Sequence, residues 1–130
     1  MVPLCSPSFA KEFPYTSIED LAQAPLIHLR AKDKNWSNWF SWFNALGYKG
    51  KIAPGTHVNN YMIGLQVAGD GMGIVLGWKH LCKPKIDSGE LLIYGDTSIP
   101  APSALYIMSE KEELLPENVK ILRDFLIAKP

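Results

Sequence analysis

Leu65-Gln66-Val67-Ala68-Gly69-Asp70-Gly71-Met72-Gly73-Ile74-Val75-Leu76 decides the fold class. Its first four residues close a helical stretch that opens near Tyr61. Three glycines then turn the chain, and Ile74-Val75-Leu76 is uninterruptedly apolar. Such a run suits a strand covered on both faces, as in a parallel sheet. The glycine spacing suggests a nucleotide loop, but the order is reversed. A dinucleotide loop leaves a strand and opens a helix, so that phosphate meets free N–H groups. Here the glycines leave a helix and enter a strand, and no Gly-Lys-Ser/Thr follows. They read as a helix cap and a tight turn.

Working outward, elements of the same two kinds alternate. Towards the N-terminus, Thr56 to Asn59 is a short alternating strand, and Asn35 to Leu46 is the clearest helix. Trp36, Trp39, Phe40 and Phe43 fall at i, i+3, i+4 and i+7, one face of a 3.6-residue period. That phase puts Trp42 on another face, partly exposed. Gly47 is placed for a left-handed C-terminal cap. Leu26 to Leu29 reads as a buried strand after a helix capped by Ser17, with Asp20 at its third position. Ser6-Pro7 opens another short helix, and Val2 to Cys5 is an extended segment. Towards the C-terminus, Leu91 to Tyr94 and Ala104 to Met108 read as strands around a proline-rich linker from Ile99 to Pro102. Pro116 opens a last amphipathic helix with Val119, Leu122, Phe125 and Leu126 on one face. The alternation predicts an α/β fold with a mixed, mostly parallel sheet flanked by helices.

Composition narrows the function. The 130 residues suffice for one domain or slightly more, and 13 basic side chains balance 13 acidic ones. Zero net charge argues against a nucleic-acid binder, which needs a basic face to neutralise phosphates. Lys32 and Lys34, and Lys79 to Lys85, are short interrupted basic clusters of the kind a solvated surface carries. No segment approaches the roughly 20 apolar residues of a membrane span. No charged n-region precedes an apolar one, and two cysteines make no disulfide framework, so a reduced cytoplasmic setting is expected. The apolar start at Met1-Val2-Pro3-Leu4-Cys5 suggests a truncated chain.

Catalytic and metal patterns are not found. His28, His57 and His80 are scattered, and His80-x-Cys82 has no second pair to complete a structural zinc site. Neither cysteine sits in a recognisable nucleophile motif, and no serine sits in a Gly-x-Ser-x-Gly elbow. Adjacent carboxylates such as Glu19-Asp20 and Glu112-Glu113 lie on exposed segments, poor geometry for shared acid–base work. No enzyme activity, cofactor or metal is expected.

Three stretches together carry a family resemblance. They are Pro3-Leu4-Cys5-Ser6-Pro7 with Ser17-Ile18-Glu19-Asp20-Leu21 and Pro25-Leu26-Ile27; Trp36-x-x-Trp39-Phe40 closed by Gly47; and Leu65 to Leu76 followed by Ser88-Gly89-Glu90-Leu91. In order and spacing the chain resembles the effector-binding domain of LysR-type transcriptional regulators, and its Trp-rich helix is similar to the subgroup related to the glycine-cleavage activator. The resemblance implies one lobe of a type II periplasmic-binding-protein-like fold, with the helix-turn-helix and about half of the effector domain absent. It implies a crossing strand at residues 1–6 and a second lobe at 7–95. Residues 96–130 would hold a return strand and a C-terminal helix of the incomplete first lobe.

By the same resemblance a small-molecule effector, such as an amino acid or small carboxylate, lies at strand ends and helix N-termini. Ser6, Ser8, Asn59, Asn60, Gly77, Trp78 and Tyr106 are then the candidate contacts. Ser6 and Asn59 read equally as ordinary helix caps, and Trp78 and Tyr106 as packing. DNA would be met only through the absent domain. The last strand and helix, stripped of the sheet they cover, would expose an apolar patch large enough to drive self-association, or would fold back on their own lobe. Other readings are one lobe of a solute-binding protein, disfavoured by the lack of a signal peptide; a small enzyme with a convergent Cys/His or Asp/His site; and a remnant that only dimerises.

Overall fold

The computed structural model describes residues 1–30, 37–101 and 106–128. Five strands make one mixed sheet: β1 (Val2–Cys5), β2 (Leu26–Leu29), β3 (Thr56–Val58), β4 (Ile74–Gly77) and β5 (Leu92–Ile93). Their spatial order is β3-β2-β4-β1-β5. β3, β2 and β4 run parallel, whereas β1 pairs antiparallel with both β4 and β5. The α/β class and the mixed sheet flanked by helices follow the expectation from sequence.

Helices cover both faces. On one side lie α1 (Pro7–Glu12), α2 (Ile18–Gln23) and α3 (Trp39–Ala45). Phe9, Leu21, Ala22, Trp39, Trp42 and Phe43 bury there against Cys5, Leu26, Ile74 and Leu76. On the other side α4 (Tyr61–Gly69) presses Leu65 and Ala68 onto Val2, Leu4, Ile27 and Val75, with α5 (Lys83–Asp87) beside it. Successive residues of one strand serve opposite cores because strand side chains alternate. The all-apolar run at Ile74 to Leu76 is buried on both faces for this reason.

Local chemistry sets the boundaries. Ser6 Oγ accepts from Phe9 N–H at 3.1 Å, and Pro7 sits at the first helical position. Ser17 Oγ accepts from Asp20 N–H at 3.1 Å, while the Asp20 carboxylate accepts from the Thr16 hydroxyl. α3 starts later than the sequence pattern proposed. Asn38 caps it, in a box where its Oδ1 accepts from Ser41 N–H and Ser41 Oγ meets the Asn38 backbone N–H. The expected helical segment at residues 35 and 36 lies outside the described residues.

The aromatic phase is also corrected. Phe40 is 74% exposed, whereas Trp42 is fully enclosed. The buried series is Trp39, Trp42 and Phe43, with Leu46 half-buried against it, again i, i+3, i+4 and i+7 but shifted by three residues. Trp39 Nε1 donates to Ile27 O at 3.0 Å and Trp42 Nε1 to Met1 O at 3.4 Å, so both indoles are satisfied.

Beyond β5 the chain returns beside its start. Ile99 N–H donates to Met1 O at 3.1 Å, and Met1 N to Ile99 O at 2.5 Å. Residues 104 and 105 of the expected return strand lie outside the described residues, and Tyr106 to Met108 carry no regular structure. A short 3₁₀ turn (Glu112–Leu114) precedes the last helix, α6 (Glu117–Ala128). Its Leu122, Phe125, Leu126 and Ile127 are all exposed. Among the described residues no helix is long and apolar enough to cross a membrane.

Candidate functional site

The parallel strands β3, β2 and β4 end at one edge of the sheet, and α4 begins there. Because β1 runs the other way, its start reaches the same edge, with Val2 opposite Gly77. Open α/β sheets take ligands outside the carboxyl ends of such strands. A small, mostly apolar opening sits here, lined among others by Met1, Leu29, Asn38, Tyr61, Leu76 and Trp78. Two shallower openings adjoin it at the ends of β2 and β3, and both are lined by Arg30 and His57.

The seven residues proposed from sequence do not form one group. Asn59, Asn60, Gly77 and Trp78 share this edge. Asn59 lines the opening beside Arg30 and His57. Asn60 caps α4: its Oδ1 accepts from Met62 N–H at 2.8 Å and Ile63 N–H at 3.3 Å. Two of the free N–H groups that an anion would use are therefore already satisfied. Gly77 serves packing, since a Cβ there would lie 2.2 Å from Leu4 Cδ1. Trp78 lines the apolar opening, and its N–H donates to the Tyr61 hydroxyl at 3.0 Å.

Ser6 and Ser8 sit at the opposite edge. Their hydroxyls are 2.9 Å apart and face the Gly71 turn that leads into β4. Ser6 is buried and occupied as a cap. Tyr106 is 83% exposed and lines none of the three openings.

Several residues at the edge have no signature in the sequence. Tyr61 ties the start of α4 to the segment after β4 through Trp78 N–H and a 3.2 Å contact with Cys82 Sγ. Burial raises the Tyr61 hydroxyl well above its ordinary value, and the Cys82 contact adds to this. Burial also pushes the Cys5 thiol up to about 12 and raises that of Cys82. Both sulfurs are thiols near neutral pH, whereas a cysteine nucleophile must be a thiolate.

His28 and His57 face each other in register across β2 and β3, with rings stacked at 5.0 Å. Burial lowers the His28 imidazole from its ordinary 6.5, and the neighbouring His57 adds to this, against the Ala53 carbonyl, which opposes it. The unfolded chain thus takes up this proton at higher pH than the folded one. Stability from neutral His28 is fully present above 6.5 and is lost as pH falls through the lowered folded value. The thermal midpoint should fall as pH drops below about 6.5, less steeply for His28→Gln. Identical slopes for the two proteins would contradict this placement.

The LysR substrate binding domain model matches residues 1–129, and the chain belongs to that family. It is 30% identical over 124 residues to the glycine cleavage system transcriptional activator homolog of Haemophilus influenzae, covering 95% of this chain and 40% of that protein. It therefore spans well under half the length of this curated relative. The regulatory domain of CrgA, a LysR-type transcriptional regulator from Neisseria meningitidis, superposes with a TM-score of 0.65 at 18% identity, over 97% of this chain and 62% of that one. The effector domain of the transcriptional regulator AmpR of Pseudomonas aeruginosa superposes with a TM-score of 0.57 at 23% identity, over 74% and 44% respectively. These structures bear out the type II periplasmic-binding-like fold. The family is one of regulator effector domains, not an enzyme class.

Proposed function

We propose that this chain is the ligand-sensing lobe of a cytoplasmic LysR-type transcription regulator. It binds a small effector, an amino acid or small carboxylate, and performs no catalysis. The observation that carries the reading is the convergence of three parallel strand ends and the start of α4 on one edge, beside the paired Met1 and Ile99. In this reading residues 1–6 cross between lobes, 7–95 form the sensing lobe, and 96–130 belong with the first lobe. Asn59, Asn60, Gly77 and Trp78 form the contact set, while Ser6 and Ser8 serve the fold. DNA is met through a winged helix-turn-helix outside these residues. The exposed Leu122, Phe125 and Leu126 of α6 support self-association with a second copy.

The test is a thermal-shift screen of the chain against amino acids, aromatic acids and short carboxylates, with molar mass followed by light scattering. Binding stabilises the folded state by RT ln(1 + [L]/Kd), about 2.7 kcal/mol at roughly 100 Kd. One chemical class should raise the midpoint, and Asn59→Ala should reduce the shift while Ser8→Ala leaves it intact. A folded protein that responds to no compound would refute the reading.

A further inference from the structure

The ends of β2 and β3 bring together one arginine and two histidines. Arg30 and His57 are exposed and line both shallow openings; His28 lines one of them, and Asn59 the other. No acidic side chain lines either opening among the described residues. Arg30 donates its backbone N–H to Val58 O at 2.7 Å, which fixes its Cα beside β3, yet its guanidinium makes no ion pair among the described residues.

The imidazoles next to it are held in a definite arrangement. His28 Nε2 lies 3.1 Å from Ala53 O. A carbonyl only accepts, so Nε2 carries the hydrogen and Nδ1 the lone pair. Gly55 lets the loop close over this ring, since a Cβ there would come within 2.8 Å of His28 Cδ2. His57 stacks on His28 from the edge strand with the two planes 20° apart. Among the described residues, the charged or titratable groups lining these openings are therefore His28, His57 and Arg30, with neutral Asn38 and Phe40 facing them from the start of α3 and neutral Asn59 and Ile63 from the α4 side. Two stacked imidazoles resist carrying charge together, because like charges at this spacing repel. An anion seated against Arg30 removes that obstacle and favours a proton on the exposed ring.

We propose that this end of the edge captures an oxyanion, a carboxylate or a phosphate, between Arg30 and His57, and that capture draws one proton from solvent onto the histidine pair. The proposal deepens the ligand-sensing reading and rests on it for the role of the edge. It gives the effector an acidic group and makes its affinity rise as pH falls.

The experiment is an NMR titration of the imidazole signals of the chain at constant ionic strength, in chloride, in acetate and in inorganic phosphate. Acetate stays ionised from about pH 8 to about pH 6, so its affinity reads the protein's protons alone. It should rise about ten-fold over that range, and the imidazole signals of the histidine pair should move when acetate is added. The phosphate arm, read at one pH, tells which oxyanion the edge prefers. Arg30→Gln should abolish binding of both. His57→Gln should leave weaker binding whose affinity no longer depends on pH. Both side chains are exposed, so neither substitution threatens the fold. Affinity that is equal at the two ends of the range, or unchanged by either substitution, overturns the proposal. Should a screened effector move the Trp78 indole signal while His57 titrates as in chloride, the oxyanion site falls and the sensing reading stands. Should acetate bind at His57 while no amino acid, aromatic acid or larger carboxylate binds more tightly than acetate, the sensing reading falls instead.

Discussion

Trp42→Ala is expected to destabilise the chain by about 3–5 kcal/mol, a large share of the roughly 5–15 kcal/mol that holds a domain folded. Trp42 has no exposed surface. Its ring meets Trp39 edge-on at 5.6 Å and Phe43 edge-on at 5.2 Å. The surrounding elements are fixed to the sheet, so the space left by the indole cannot collapse. The substitution also strips Met1 O of the indole N–H. Phe40→Ala, two residues earlier in α3 but outside the core, should change stability by only about 0.5 kcal/mol. Urea midpoints of the two variants check this. A larger loss for Phe40→Ala than for Trp42→Ala would mean that the helix faces the sheet in the phase suggested by the sequence pattern.

Gly55→Ala is the second large effect, about 2–4 kcal/mol. Gly55 has φ +54°, a left-handed conformation that costs an L-residue roughly 1–2 kcal/mol. The added Cβ would lie 2.1 Å from Leu26 O, a backbone atom held in the β2 ladder, so the loop must move. Overpacking of this kind adds about 1–3 kcal/mol. Gly47→Ala supplies the comparison: φ is +79°, but nothing lies within 4 Å of the new Cβ, so only the backbone cost remains. Chemical denaturation of both should show Gly55→Ala as clearly the worse, and its His28 signal should shift. If the two variants lose the same stability, the close approach of this loop to β2 is wrong.

The residues that announced themselves in sequence were those whose chemistry is local. Ser6, Ser17 and Gly47 act within one turn of their own helix, and the run at Ile74 to Leu76 needs only that both faces be covered. α3 shows where local reading stops. Trp39 and Phe43 belong to two possible stripes, one shared with Trp36 and Phe40, the other with Trp42 and Leu46. Both have the same 3.6-residue period, and the choice between them is made by packing from distant elements, including the Met1 carbonyl. The candidate site shows the same limit of local reading. A serine cap before a proline looks alike at either edge of a sheet, and only the antiparallel pairing of β1 places Ser6 away from Asn59. His28 and His57, 29 positions apart, become neighbours through a strand register that no spacing encodes.

The paired backbone of Met1 and Ile99 has an architectural consequence. All five strands lie between these two residues, and the polypeptide enters and leaves through a single hydrogen-bonded pair. Everything from 1 to 99 is thus a closed loop of chain with a narrow neck. It can be spliced into another host at one surface turn with hardly any linker, and any rotation of the sheet must twist both neck segments together.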